Sequence, residues 1–409
     1  MMLRIRRKGK ARYYGMQRRI YADHAATTPL SQPAFQAMLP YFTEIFANPS
    51  SLHSEGMHAA DALSVARSAV AAGLSCSPAE VVFTSGGTES DVLAWHSAAM
   101  FGAAQGKRHF ITSQIEHHAV LNTAQALAEQ GFSVTFLSPN RNGLISPEQL
   151  RESIREDTVF VSLMTANNEI GTIQPVSAYA AVCRAAGVLF HTDAVQAVGH
   201  IPLSFSEIGC DYLSCSAHKF GGPKGVGVLL IRRGVPFTPL LFGGAQERGR
   251  RPGTENLPCI VGMAAALQDA LQNRAAQAAR LTPLRNRLME GLLQIPYTVC
   301  DGDPVHRLPG NVHVCFAGVD AEALLLRLDA KGIAASAGAA CSAGALEPSH
   351  VLLALGRPAS LARGSLRLSL GSLTQPDDIP QILQAVTDAV CHLRRLSPGW
   401  EQSIPENLF

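Results

Sequence analysis

At 409 residues the chain is longer than one hydrophobic core organises, so more than one domain is expected. Its 47% hydrophobic and 16% charged residues can bury a large core and exclude the polar, highly charged make-up of a disordered chain. A net charge of +2 without basic stretches interleaved with aromatics argues against direct nucleic-acid binding, and no apolar run reaches the roughly 18 residues of a membrane span.

Residues 1–20 hold eight Lys or Arg and no acid, but no apolar stretch of the secretory kind. An Arg-rich, Ser-free mitochondrial-type presequence and a start assigned upstream of the true one both fit. The second is preferred, with Met16 opening the functional chain and 1–15 a basic extension, disordered or wrongly assigned. From about residue 58 helix-like and strand-like segments alternate, the pattern of crossover units around a parallel sheet. Strands are predicted at 81–84, 109–112, 134–137, 159–164, 188–191, 212–216 and 226–231. Helices are predicted at 90–101, 119–130 and 176–186, each ending near a glycine. After Asn256 a long Ala- and Leu-rich helix runs to about Leu293, interrupted at Pro283. The predicted organisation is an α/β large domain over 31–266, with a mostly parallel seven-stranded sheet flanked by helices. A smaller α+β domain is expected from 16–30 and 267–409. The nine cysteines have an odd total and no C-x-x-C pair, so neither a zinc or other metal site nor a disulfide framework is expected, and a reducing cytosol fits.

Four segments fall where such a sheet places ligands, at strand carboxyl ends and the starts of the following helices. Thr84-Ser85-Gly86-Gly87-Thr88-Glu89-Ser90 lets backbone approach an anion, with helix amides and the Thr88 hydroxyl to hold a phosphate, although such turns are often only connections. Phe190-His191-Thr192-Asp193-Ala194-Val195-Gln196 ends a buried strand in an acid. That acid is either a helix cap or a carboxylate keeping the ring nitrogen of pyridoxal phosphate (PLP) protonated. Ser214-Cys215-Ser216-Ala217-His218-Lys219, followed by a Gly/Pro-rich turn, offers a partly desolvated lysine as an amine nucleophile. Lys219 and Lys224 compete for that role, Lys219 being nearer the strand. Ser336-Ala337-Gly338-Ala339-Ala340-Cys341-Ser342-Ala343-Gly344 contains only small residues and reads as a mobile loop bearing one reactive thiol. The other eight cysteines read as small buried hydrophobes.

Together these segments resemble the cysteine desulfurases of the NifS/IscS type, within the class V aminotransferases of PLP fold type I. The likeness extends over residues 20–375 and includes Tyr21-Ala22-Asp23-His24-Ala25-Ala26-Thr27-Thr28-Pro29, Glu116-His117-His118, Asn167-Asn168-Glu169-Ile170-Gly171-Thr172 and Ser365-Leu366-Arg367-Leu368-Ser369. The resemblance implies that Lys219 carries PLP, Asp193 pairs with its ring nitrogen, Gln196 reaches the ring hydroxyl and His117 stacks on the ring. It implies a phosphate site of Gly87, Thr88, Ser216 and His218, completed by Thr254 from the second subunit of a homodimer. Asn168, also a cofactor contact, and Arg367 would hold the substrate carboxylate, for which a guanidinium fork suits. The implied reaction takes sulfur from L-cysteine, leaving L-alanine and a persulfide on Cys341, with His117 exchanging protons with the thiols. The sulfur would pass to an acceptor protein in the cytoplasm, for iron–sulfur cluster assembly or for tRNA or cofactor thiolation. The family commonly has Ser-Ser-Gly-Ser-Ala-Cys where this chain has residues 336–341, and Arg-Ser-Gly-Thr where it has Pro252, so hydroxyls are lost near the site. An aminotransferase or selenocysteine lyase shares the PLP residues; the Cys341 segment separates the first of these from the desulfurase reading.

Overall fold

The computed structural model describes residues 18–338, 348–397 and 399–403. Among these the chain forms β1 (Ile20–Tyr21), β2 (Val81–Thr84), β3 (His109–Ser113), β4 (Ser133–Leu137), β5 (Thr158–Ser162) and β6 (Leu189–Asp193). It continues with β7 (Tyr212–Ser216), β8 (Gly227–Ile231), β9 (Thr298–Cys300), β10 (Asn311–Phe316), β11 (Ile333–Ala334) and β12 (Ser365–Ser369). The seven-stranded sheet has the order β2-β8-β7-β6-β5-β3-β4. β8 runs antiparallel to both neighbours and every other pairing is parallel, the mostly parallel layer expected.

Both faces of this sheet are covered, which is why its strands read as unbroken apolar runs without polar alternation. Successive residues enter opposite cores. Val81 and Phe83 join Val161, Leu213 and Val228 on one face. Val82 joins Trp95, Phe110, Phe160, Tyr212 and Leu229 on the other. The helix predicted at 90–101 begins earlier, at Gly87, and runs to Ala104, because the Gly-Gly turn itself opens it. The strand expected at 188–191 extends to Asp193, so the acid is the last residue of β6.

The helix Leu257–Leu293 is continuous through Pro283. Pro283 and Ala279 are both exposed, so the carbonyl left without its helical donor can bond to water. Its first half contributes Ile260, Met263, Ala264 and Leu267 to the core of the large sheet. Its second half contributes Leu281, Leu288 and Leu292 to another core, built on a smaller antiparallel sheet of order β12-β10-β9. The N-terminal segment joins this smaller part. β1 pairs in parallel with β11, and Asp23 bridges to Ser369 at the end of β12.

The expectation that the remaining cysteines are buried needs correcting. Cys183, Cys210, Cys215 and Cys315 are buried, but Cys76, Cys259 and Cys300 are only half-buried and Cys391 is exposed. Cys391 lies on the helix Asp378–Leu396, beside the apolar stripe of Ile379, Ile382, Val386 and Val390. One step past Val390 turns it about 100° out of the core.

His109 opens β3 and ties the sheet laterally, its ring nitrogens meeting Thr158 Oγ1 (2.7 Å) and Thr135 Oγ1 (2.8 Å). Burial, aided by Arg155, pushes its pKa down to about 4. Between an unfolded value of about 6.5 and the folded value the unfolded chain binds the extra proton, so this histidine withdraws stability as pH falls through that window. Thermal melts of wild type and His109→Gln from pH 7.5 to 4.5 should therefore show the variant gaining on wild type as the pH drops. A constant difference would mean that His109 protonates in place.

Candidate active site

The carboxyl ends of β6 and β7, neighbours in the sheet, supply the central pair. Asp193 is the last residue of β6 and is 6% exposed. Burial pushes its pKa up to about 6, opposed by the Val195 N–H donated to Oδ1 (2.8 Å) and by the Lys219 ammonium. Lys219 closes the single turn Ala217–Lys219 that follows β7. Its Nζ donates to the carbonyls of Ala25 (2.6 Å) and Ala26 (2.9 Å). Lys224 is exposed beyond the turn. Of the two competing lysines, Lys219 is the one whose charge bears on both Asp193 and His117.

His117 caps the helix His118–Glu129, accepting the Ala119 N–H on Nδ1 at 3.1 Å. Neutral His117 therefore carries its proton on Nε2. Burial first, then Lys219, His118 and His350, push its pKa down to about 4, so the neutral, Nε2-protonated ring prevails at ordinary pH.

The anion seat lies at the start of the helix Gly87–Ala104, whose first turn no side chain caps. A β-carbon at Gly87 would come within 2.7 Å of Val195 Cγ2, and one at Gly227 within 2.6 Å of the Gly86 Cα, so only glycine permits this packing. Ser216 Oγ lies 3.6 Å from where a β-carbon on Gly86 would be. Bare helix amides with a hydroxyl beside them favour a phosphate. Thr88 in the first turn is exposed. His218 Nδ1 meets Thr27 Oγ1 at 3.1 Å, and burial, with Lys219 and Lys224, pushes its pKa down to about 4. An amine, a buried carboxylate and an uncapped helix start, at the carboxyl ends of β7, β6 and β2 on one edge of the sheet, fit PLP, whose aldehyde, ring nitrogen and phosphate need those three partners.

Gln196 is buried and donates its Nε2 to the Ala25 carbonyl (3.0 Å). Arg367, on β12 and 2% exposed, reaches across from the smaller sheet. Its Nη1 donates to the Asn168 carbonyl (3.0 Å) and the Gly338 carbonyl (3.3 Å), and its Nη2 to Asp23 Oδ1 (2.9 Å). Thr254 is exposed, and among the described residues no hydrogen bond ties it to this cluster. Cys341 lies outside the described residues. Of the segment leading to it, Gly338 has a φ of +91° and packs so closely that a β-carbon would meet Glu169 Oε2 at 2.8 Å. On the other side, Ser349 donates its hydroxyl to the same Glu169 Oε2 (2.6 Å). The chain entering 339–347 and the chain leaving it thus meet one buried carboxylate.

A cavity of about 500 Å³ between the helix Leu257–Leu293 and residues 24–32 is lined by Lys219 and Gln196 but not by Asp193, His117 or Arg367. Among the described residues Asp301, His313 and Cys315 also cluster, buried, with donor atoms within 4.8 Å. There Arg357 Nε, 2.7 Å from Asp301 Oδ1, already supplies the positive charge.

Several residues that shape the site had no role in the sequence reading. Asp23 and Glu169 stand inside quoted motifs, between Ala22 and His24 and between Asn168 and Ile170, where nothing local marks a role. Glu116, beside His117, is buried and accepts the Ser113 hydroxyl (2.6 Å) and the Met164 N–H (3.1 Å) on Oε1. Burial pushes its pKa up to about 8. The Ala25 and Ala26 carbonyls could not be anticipated, because their position depends on how the N-terminal segment crosses the strand ends.

A family model described as aminotransferase class-V matches residues 20–382. The chain is 49% identical over 379 residues to the cysteine desulfurase IscS of Methanosarcina thermophila, covering 93% of this chain and 94% of the relative. It is 44% identical over 389 residues to the cysteine desulfurase IscS of Clostridium botulinum, with 94% and 98% covered. Among solved structures it is similar to a NifS-like protein with a TM-score of 0.86 and 36% identity, covering 91% of this chain and all (100%) of that one. A second, described as SspA in complex with cysteine, gives a TM-score of 0.76 at 35% identity, covering 86% and 98%.

Proposed function

The chain belongs to the class V aminotransferases as a PLP-dependent cysteine desulfurase of the NifS/IscS type, and from that premise we propose how its own residues divide the work on L-cysteine. Bound PLP supplies an aldehyde for the substrate amine and an electron-withdrawing ring for its Cα. Lys219 holds the cofactor and its Nζ moves the Cα proton. The Asp193 carboxylate keeps a proton on the ring nitrogen. Gly87, Thr88, Ser216 and His218 hold the phosphate, with Thr254 arriving from the second subunit of a homodimer. Gln196 and Asn168 orient the ring. The Arg367 fork, with Asn168, binds the substrate carboxylate.

Cys341, as thiolate, attacks the substrate sulfur. An S–S bond forms, the C–S bond breaks, and its electron pair stays with the carbon fragment, which is protonated and leaves as L-alanine. The persulfide on Cys341 keeps the sulfur for an acceptor protein, in iron–sulfur cluster assembly or in tRNA or cofactor thiolation. His117, neutral with its proton on Nε2, exchanges protons with the thiols. The observation that supports this reading is that the charge of Lys219, which follows β7, bears on both the buried carboxylate that ends the neighbouring β6 and the neutral histidine that follows β3. The domain division near residue 267 belongs to the same proposal, since the helix there passes from one core to the other.

Holoenzyme supplied with L-cysteine and a reducing thiol should release L-alanine and sulfide in equal amounts. With radiolabelled cysteine and no reductant, label should remain on the chain until an acceptor protein is added. Formation of 3-mercaptopyruvate, the keto acid that retains the sulfur, without sulfide release would favour an aminotransferase instead.

A further inference from the structure

Arg367 uses its donor edges unequally. Nη1 is committed to two backbone carbonyls, Asn168 at 3.0 Å and Gly338 at 3.3 Å. Nη2 holds one oxygen of Asp23 at 2.9 Å, and Nε is buried with no acceptor among the described residues. A carboxylate that grips a guanidinium with both oxygens needs two parallel N–H donors, and Nε with Nη2 offers such an edge. Asp23 fills half of it.

The two partners are not equally held. The Arg367 side chain is 3% exposed and that of Asp23 20%. The main chain at Asp23 is anchored, its carbonyl accepting the Tyr21 hydroxyl (3.0 Å) and the Ala26 N–H (3.1 Å). Its carboxylate has Arg367 as its only hydrogen-bond partner among the described residues. The arginine is fixed and the acid can turn outward about an anchored backbone.

We propose that Asp23 is an internal occupant of the substrate-carboxylate seat on Arg367, displaced when an amino acid binds. This rests on the reading above that Arg367 recognises the substrate carboxylate. The arrangement sets specificity as well as affinity. An α-carboxylate replaces Asp23 with a two-pronged contact that also satisfies Nε, whereas an amine without a carboxylate leaves the Asp23–Arg367 pair intact and gains nothing from the fork. Until displaced, Asp23 also keeps a nearly sealed guanidinium paired.

The test titrates holoenzyme with L-alanine and, separately, with ethylamine, the same molecule without its carboxylate, following the visible absorption of bound PLP. Removing the competitor in Asp23→Asn should tighten L-alanine about three- to fivefold, the scale of a partly exposed ion pair, and leave ethylamine unchanged. Asp23→Ala should do the same, which guards against an effect peculiar to the amide. Weaker L-alanine binding would show that Asp23 orients Arg367 and does not compete for it. An equal change for both ligands, or none, would also overturn the proposal. Arg367→Lys separates the two layers. If the preference for L-alanine over ethylamine survives that change, the assignment of Arg367 fails and this proposal with it. If the preference collapses while Asp23→Asn misbehaves, only the proposal on Asp23 is lost.

Discussion

Lys219→Ala is expected to abolish the visible absorption of lysine-bound PLP and to lower sulfide release from L-cysteine by at least about 10³-fold. On the proposed assignment the variant removes at once the group that anchors the cofactor and the base that moves the Cα proton, and positioned proton transfer alone is worth roughly 10²–10⁴-fold. Lys224→Ala is the control. That lysine is exposed beyond the turn, and its loss should leave both readouts within about twofold of wild type. The decisive contrast is electrostatic, because Lys219 acts on buried Asp193. Without the Lys219 charge the Asp193 carboxyl loses an ammonium that favours its ionised form, so Lys219→Ala should raise the Asp193 pKa further. Survival of the lysine-bound absorption in Lys219→Ala, with its loss in Lys224→Ala, would exchange the two assignments.

Cys341→Ala separates cofactor chemistry from sulfur transfer. The variant should bind PLP as wild type does, and L-cysteine should still change its visible absorption, because Lys219, Asp193 and Arg367 are untouched. Sulfide release under a reducing thiol should fall to background, about 10³-fold or more below wild type. A labelled persulfide should be absent from the chain as well. Cys391→Ala tests the one cysteine found exposed among the described residues, far along the chain on the helix Asp378–Leu396, and should change neither readout. Normal turnover in Cys341→Ala would refute the assigned nucleophile and direct attention to another thiol. The buried ones are poor substitutes, since burial pushes Cys183 and Cys215 up to about 12 and leaves them protonated.

The layer type of the large domain, the seven strands of its sheet and the motifs at their ends could be read from the residues alone. Their physical basis is local: apolar runs that need two covered faces, glycines where backbone must approach backbone, and acids or lysines at the ends of such runs. The bounds of elements differ by a few residues, as in the helix that begins at Gly87 and the strand that ends at Asp193, whereas the burial of the cysteines did not follow from local context. Periodicity fixes the middle of an element better than its ends, where capping geometry decides.

What only the tertiary structure decided is which groups share a space and what that does to their charge. The crossing of residues 25–26 over the strand ends brings two carbonyls to the Lys219 ammonium, a contact that spacing along the chain does not show. Asp23 and Arg367 are 344 positions apart, and their pairing exists because β1 docks on β11 and Asp23 bridges to β12. Hydrogen bonds and ion pairs act over a few ångströms, while the sequence records only spacing along the chain. Burial, likewise, is a property of the assembled cores, so the same residue type can be a solvated ion in one place and a proton holder such as Glu116 in another.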